Sequence, residues 1–306
     1  MSNKNDFLVM DGEEEETVSA EETVKEELPE YEEVSSTGFS ESNYKADVRN
    51  VLDLPSNGKL NYPATVEFRD MVYGDEKSLS GTDESNYTKT INHVMKSVMN
   101  DVEWYDDMTI TDRDYFFLMM FASNYSSNVD LDLSCKSCGH EFKTSVDLTE
   151  LDVMELSDNY VEPFKIPLKS GYTAYVRLPR VKDELKVQGL MNRLNKEGEQ
   201  FDNNDAIMGL TTELEMEDGN KLTLPIDQKI KWMFNNLSIK DVNNIRKFYN
   251  YFNYGVEQTT YITCPSCGEE NLYTVPFRLD HIIEKALSDD FEGMLQFNKT
   301  PSNSAK

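Results

Sequence analysis

Cysteine is scarce in this chain, with four in 306 residues, and histidine is scarcer, with three. His93, His140 and His281 lie in no recognisable nucleophile or metal motif, so the sequence offers no imidazole chemistry. Glycine-rich phosphate loops are absent. The longest apolar run, YFFLMMFA at Tyr115–Ala122, falls far short of the roughly 18 residues of a membrane span and suits one buried helix. The N-terminus lacks the basic region and apolar core of a secretory signal. These absences point to a soluble chain made in a reducing cytoplasm, where paired thiols favour a metal over a disulfide.

Positive charge is also in short supply. Thirty Lys and Arg stand against 57 Asp and Glu, a net charge of −27. Such a surface repels a phosphate backbone, because nucleic-acid affinity comes largely from Lys and Arg displacing counterions. The charge is uneven, with 13 acidic and two basic residues between Met1 and Glu33. A hydrophobic content of 38% is low for a folded chain of this length. Residues 1–45 are therefore expected to form a disordered, solvated acidic arm. Leu28, Pro29 and Tyr31 are the residues within it suited to docking.

All four cysteines fall in two C-x-x-C-G units, SCKSCGHEF at Ser134–Phe142 and TCPSCGEEN at Thr263–Asn271. They belong to a longer similarity. Met108–Leu148 aligns with Leu237–Phe277 over 41 positions without a gap, ten of them identical, among them Ile110/Ile239, Asp112/Asp241 and Tyr125/Tyr254. Upstream, Arg69 precedes Asp75-Glu76 at the interval by which Arg177 precedes Asp183-Glu184.

The reading is an α+β chain of two tandem repeats, 46–150 and 151–278. Each repeat runs strand, helix, second helix, strand, knuckle, strand, and the two are joined by a zinc-ribbon-like four-cysteine site. Asp112 and Asp241 are expected as caps of the second helices. The second repeat carries an insertion, in which GEQFDNNDAIMG (Gly198–Gly209) reads as loop and EMEDGNKLTLP (Glu215–Pro225) as hairpin. Residues 279–306 complete the chain. Leu279, Ile282, Ile283 and Leu287 form one stripe of an amphipathic helix there, followed by a frayed tail.

One knuckle supplies two thiolates, whereas Zn²⁺ takes four ligands in a tetrahedron. Cys135, Cys138, Cys264 and Cys267 together complete a closed structural site. No position remains open for water, so catalytic zinc is disfavoured. Dithiol redox chemistry is the competitor. It is weakened because each knuckle lies between strands, not at a helix N-terminus that would lower a thiol pKa. His140 is an alternative ligand, but its aligned partner is Glu269. The spacing leaves open whether both knuckles share one metal within a chain or bridge neighbouring subunits.

The acidic pairs Asp75-Glu76 and Asp183-Glu184 admit two readings, general acid–base groups or braces to Arg69 and Arg177. Their occurrence in both halves favours the structural one. The aromatics of RKFYNYFNYG (Arg246–Gly255) resemble a base-stacking set, yet helical spacing makes Phe248 and Phe252 core residues. No catalytic constellation emerges, and the chain reads as a non-enzyme.

LDLPSNGKLNYPATVEFRDMVYGDEKSL (Leu52–Leu79) resembles the opening of the T4-like phage baseplate hub and hub-assembly family. The block from Ile110 through Cys138 is similar to the same family. So are IPLKSG (Ile166–Gly171) and RLP (Arg177–Pro179), followed by the second knuckle. The long acidic N-terminus departs from the pattern. The resemblance implies a non-enzymatic protein of a contractile-tailed phage, either a hub component or a factor in hub assembly. Its partners would be other baseplate and tail proteins, and it would work in the host cytoplasm or in the virion baseplate. The alternative from a different class is a zinc-ribbon adaptor in transcription or nucleic-acid processing, against which the net charge argues.

Overall fold

A computed structural model describes residues 49–80, 86–194 and 201–275. The acidic arm and the C-terminal amphipathic segment expected from the sequence lie outside the described residues. Within them the chain is α+β, with seven α-helices and five small sheets.

The first half opens with strands β1 (Arg49–Asp53) and β2 (Thr65–Arg69), paired antiparallel with Leu52 opposite Val66. Helices α1 (Tyr73–Ser80), α2 (Tyr87–Val98) and α3 (Ile110–Asn124) follow. Then comes the hairpin of β3 (Asn128–Ser134) and β4 (Glu141–Asp147). The apolar run seen in the sequence is α3, and it buries Phe116, Phe117, Leu118, Met120 and Phe121. The short strand β5 (Val153–Met154) leads into the second half and pairs with β9 (Gly255–Val256).

The second half contains β6 (Phe164–Pro167), β7 (Thr173–Val176) and β8 (Thr212–Glu215) in one three-stranded antiparallel sheet. Its helices are α4 (Val181–Leu194), α5 (Asn203–Thr211), α6 (Ile226–Asn236) and α7 (Ile239–Tyr251). It ends in the hairpin of β10 (Thr259–Thr263) and β11 (Glu270–Thr274).

The expected loop at Gly198–Gly209 is corrected in part, because its final residues form α5. Asp202 caps that helix, accepting from the Asp205 N–H at 2.8 Å, while the Asp205 carboxylate accepts from the Asp202 N–H at 3.3 Å. This reciprocal capping satisfies two otherwise orphaned donors and lets a short, Asn-rich segment become helical. Gly209 sits in α5 where an added Cβ would lie 2.2 Å from Ile230 Cγ1. The glycine is the condition for α5 and α6 to meet closely.

Both halves contribute to one large apolar core. Val66, Phe68, Ile91, Met95, Phe116 and Phe121 come from the first, and Val176, Leu214, Ile245, Phe248 and Phe252 from the second. Phe248 and Phe252 are thus core residues, with ring centroids 5.2 Å apart. Polar contacts join the halves as well. The Ile110 N–H donates to the Pro179 carbonyl, the Val181 N–H donates to the Met108 carbonyl, and Arg113 pairs with Glu184.

Local contacts recur in the two halves. Arg69 grips Asp75 through two hydrogen bonds, and the same carboxylate accepts from the Val72 N–H at 2.9 Å. Arg177 grips Asp183 likewise, and that carboxylate accepts from the Arg180 N–H at 2.9 Å. Asp75 and Asp183 are therefore braces within their halves, not paired catalytic carboxylates. Glu184, next to Asp183, serves Arg113 across the halves.

The expected plan of two helices in each half is corrected, since three α-helices precede the first hairpin and four the second, and the caps of the last of each, α3 and α7, also differ from expectation. Thr109 caps α3, its hydroxyl accepting from the Asp112 N–H, and Ser238 caps α7 by accepting from the Asp241 N–H. Asp112 and Asp241 lie one turn inside, fully buried, and reach back to the loops ahead of β2 and β7. Asp112 accepts from the Ser56 N–H at 3.2 Å and Asp241 from the Lys169 N–H at 2.6 Å. A hydroxyl at the N-cap leaves the aspartate free to hold a distant backbone donor, which local spacing cannot reveal.

Candidate metal centre

Each knuckle is the tip of a hairpin. In the first, the Cys135 N–H donates to the His140 carbonyl at 2.9 Å and the Gly139 N–H donates to the Cys135 carbonyl at 2.9 Å. The second repeats this, with Cys264 N–H to Glu269 carbonyl at 3.0 Å and Gly268 N–H to Cys264 carbonyl at 2.9 Å. The turns close through Gly139 at φ 73° and Gly268 at φ 74°, a region that glycine enters without a Cβ clash.

The two tips meet. All four Sγ atoms lie within 4.8 Å of one another. Cys135 Sγ is 3.8 Å from Cys267 Sγ, and Cys138 Sγ is 3.8 Å from Cys264 Sγ. A tetrahedron of thiolates at about 2.3 Å from Zn²⁺ has edges of about 3.8 Å, so the donor set fits that ion. No disulfide links them. Cys135 and Cys264 are buried, while Cys138 and Cys267 are exposed.

The electrostatics agree with a place for a cation. Backbone N–H groups of Cys138 and Ser137, helped by neighbouring thiols, bring the Cys135 thiol down to about 6. At Cys267 the Glu269 N–H is the largest single influence and lowers the pKa. Desolvation and the sulfurs of Cys138, Cys264 and Cys135 together outweigh it and push Cys267 up to about 12. One thiolate forms readily in the cluster, and a further negative charge there is costly until a cation balances it.

Further residues surround the sulfurs. Asn271 Nδ2 donates to Cys135 Sγ at 3.5 Å, and the Tyr273 hydroxyl donates to the Ser134 carbonyl at 3.1 Å. Lys136 reaches across to the Leu272 carbonyl and lies 5.1 Å over the Tyr273 ring. Such outer contacts orient metal-ligating thiolates. Lys136, Asn271 and Tyr273 belong to no motif and were not expected at the site from the sequence. The available signal was that these positions differ between the aligned knuckles, where Pro265, Phe142 and Thr144 stand instead. His140 contributes its backbone carbonyl to the first knuckle, and its ring stacks on Phe142 with centroids 6.3 Å apart.

Beneath the tips, Leu118 of α3, Leu131 of β3, Leu148 and Val275 form a separate apolar cluster with Leu151. The hairpins are thus held at both levels, by thiols above and by packing below. Their outer faces differ. Asp132 and Lys143, cross-strand partners in the first hairpin, form an exposed ion pair at 3.2 Å. The aligned partners Tyr261 and Leu272 are apolar, yet 70% and 42% exposed.

Among the described residues no helix is long and apolar enough to cross a membrane. No curated protein and no solved structure matches the chain. A family model described as T4 bacteriophage base plate protein matches residues 47–284, a span that contains both knuckles, both braces and the shared core, and the chain belongs to that family.

Proposed function

We propose that the chain works in the baseplate hub of a contractile-tailed phage, as a hub component or a hub-assembly factor. It acts through protein–protein contact and not through catalysis. Its two halves are copies of one duplicated unit, and Cys135, Cys138, Cys264 and Cys267 hold one structural Zn²⁺ that pins them together. The observation that carries this reading is the meeting of two knuckles, 129 residues apart in sequence, with sulfurs at tetrahedral spacing. The matching braces Arg69–Asp75 and Arg177–Asp183 support the duplication.

When bound, the ion supplies folding free energy and a rigid link, since four thiolates leave no coordination site for substrate. The partners are other baseplate and tail proteins met in the host cytoplasm, with nucleic acid disfavoured by the charge. Zinc content per chain, measured with native mass in the same sample, tests the metal. One zinc in each chain, retained in the monomer, is expected, whereas thiols without metal in freshly purified protein overturn the pin. Affinity capture from infected cells tests the assignment, which fails if no tail protein is recovered.

A further inference from the structure

The four cysteines divide into two kinds, Cys135 and Cys264 being buried and Cys138 and Cys267 exposed. Each hairpin tip thus carries one sulfur open to small dissolved molecules and one shielded from them. The sulfur contacts of 3.8 Å run between the tips, from Cys138 Sγ to Cys264 Sγ and from Cys267 Sγ to Cys135 Sγ. Both have the geometry of thiol-to-thiol hydrogen bonds. Each joins an exposed sulfur of one hairpin to a buried sulfur of the other.

Groups other than sulfur also hold the tips together. The Tyr273 hydroxyl donates to the Ser134 carbonyl at 3.1 Å, the Ser137 hydroxyl donates to Asn271 Oδ1 at 3.4 Å, and Lys136 reaches the Leu272 carbonyl. Beneath them lies the apolar cluster shared by both hairpins, in which Leu131 and Leu148 join Val275. None of these contacts needs an ion, so the cross-hairpin sulfur pairs stay adjacent when a metal leaves. An approach of less than about 2 Å turns either contact into a disulfide, a movement on the scale of a side-chain rotation.

We propose that peroxide oxidises this cluster to two cross-hairpin disulfides, Cys138–Cys264 and Cys135–Cys267, which take over from a metal as the link between the halves. The exposed sulfurs react first, because access selects the thiolate that is oxidised. The Cys138 thiolate attacks one oxygen of hydrogen peroxide. The O–O bond breaks, hydroxide leaves and takes up a proton, and a sulfenic acid forms. The Cys264 thiolate then attacks that sulfur. An S–S bond forms as the S–O bond breaks, and the second hydroxide takes up a proton to become water. Two electrons pass from the sulfur pair to the two peroxide oxygens. Cys267 and Cys135 follow the same course with a second peroxide. An ion held there under the proposed function is set free as its thiolates are consumed.

The two bonds join residues 126 and 132 positions apart, and cross-links that close long loops restrict the unfolded chain most. Under the proposed hub role, on which this purpose rests, a protein made in a reducing cytoplasm passes into a released particle where thiols are no longer kept reduced. The metal link suits the first setting and the disulfides suit the second.

Graded hydrogen peroxide added to the full-length chain, with zinc counted beforehand, tests this. Remaining thiols are alkylated and the chain is digested without reductant. Mass spectrometry should then find Cys135 linked to Cys267 and Cys138 to Cys264, with one hydrogen lost from each of the four cysteines. Bound zinc should appear in solution in step with the linked peptides, and dithiothreitol should undo the linkage. Cys264→Ser should instead leave Cys138 as a sulfenic acid that dimedone captures; should that variant not fold, the linkage map of the unsubstituted chain decides. Disulfides confined to single knuckles, Cys135–Cys138 and Cys264–Cys267, overturn the proposal. So does oxidation of Cys138 and Cys267 to sulfinic acids with Cys135 and Cys264 left as thiols. Cross-hairpin linkage in a chain that held no zinc would sustain the proposal and end the metal reading, whereas one zinc per chain followed by knuckle-confined disulfides would do the reverse.

Discussion

Arg177 closes on Asp183 through hydrogen bonds of 2.6 and 2.9 Å, with the carboxylate only 1% exposed. The pair lashes the end of β7 to the first turn of α4. Burial alone would raise the Asp183 pKa, but Arg177 and the Arg180 N–H together bring it below its ordinary 3.8. A folded-state pKa below the unfolded value gives stability that is present above about 3.8 and lost as pH falls through the folded value. Asp183→Asn, which leaves Arg177 without its counter-charge, should cost about 3 kcal/mol at neutral pH. Any metal held under the proposed function would leave both proteins alike in acid, so the difference between their urea midpoints is the quantity to follow. It should be largest near pH 7 and shrink below pH about 4; a constant gap would mean that the brace contributes no charge-dependent stability.

The knuckles make a second, sharper forecast. Cys135→Ser or Cys264→Ser removes a buried sulfur from one tip or the other, and either should abolish zinc retention. Strong chelators should reproduce the effect in the unmodified chain, with faster proteolysis between the hairpins. Retention of a full zinc by either variant, read by elemental analysis, would show that the four sulfurs do not form one site.

Gly209→Ala is expected to destabilise by about 1–3 kcal/mol, because the new methyl meets Ile230 and the helices must part. The companion Gly209→Ala/Ile230→Val, with less bulk on α6, should recover part of the loss. Equal midpoints for all three proteins would show that α5 and α6 do not meet as described.

Tyr261 and Leu272 occupy the positions that Asp132 and Lys143 fill in the other hairpin. Since an ion pair is compatible with that surface, Tyr261→Asp/Leu272→Lys should leave stability within about 0.5 kcal/mol of the parent. A loss several times larger in thermal or urea unfolding would show that the apolar pair is covered within the folded chain.

The sequence by itself determined the periodic and covalent features. The eight-residue apolar run became the core of α3, the alternating stretches before and after each knuckle became hairpins, and two C-x-x-C-G units declared their turns. Arg–Asp spacing foretold both braces, because their partners lie six residues apart on one local path. Tertiary structure decided which groups meet at long range. It set Asp112 and Asp241 against backbone donors 56 and 72 residues away, so that hydroxyls became the helix caps. Packing of Gly209 on Ile230 turned an apparent loop into α5, a choice that local propensity alone does not make. Four sulfurs gather within 4.8 Å because two hairpins rest on one apolar cluster, and that spatial fact is not written in either knuckle.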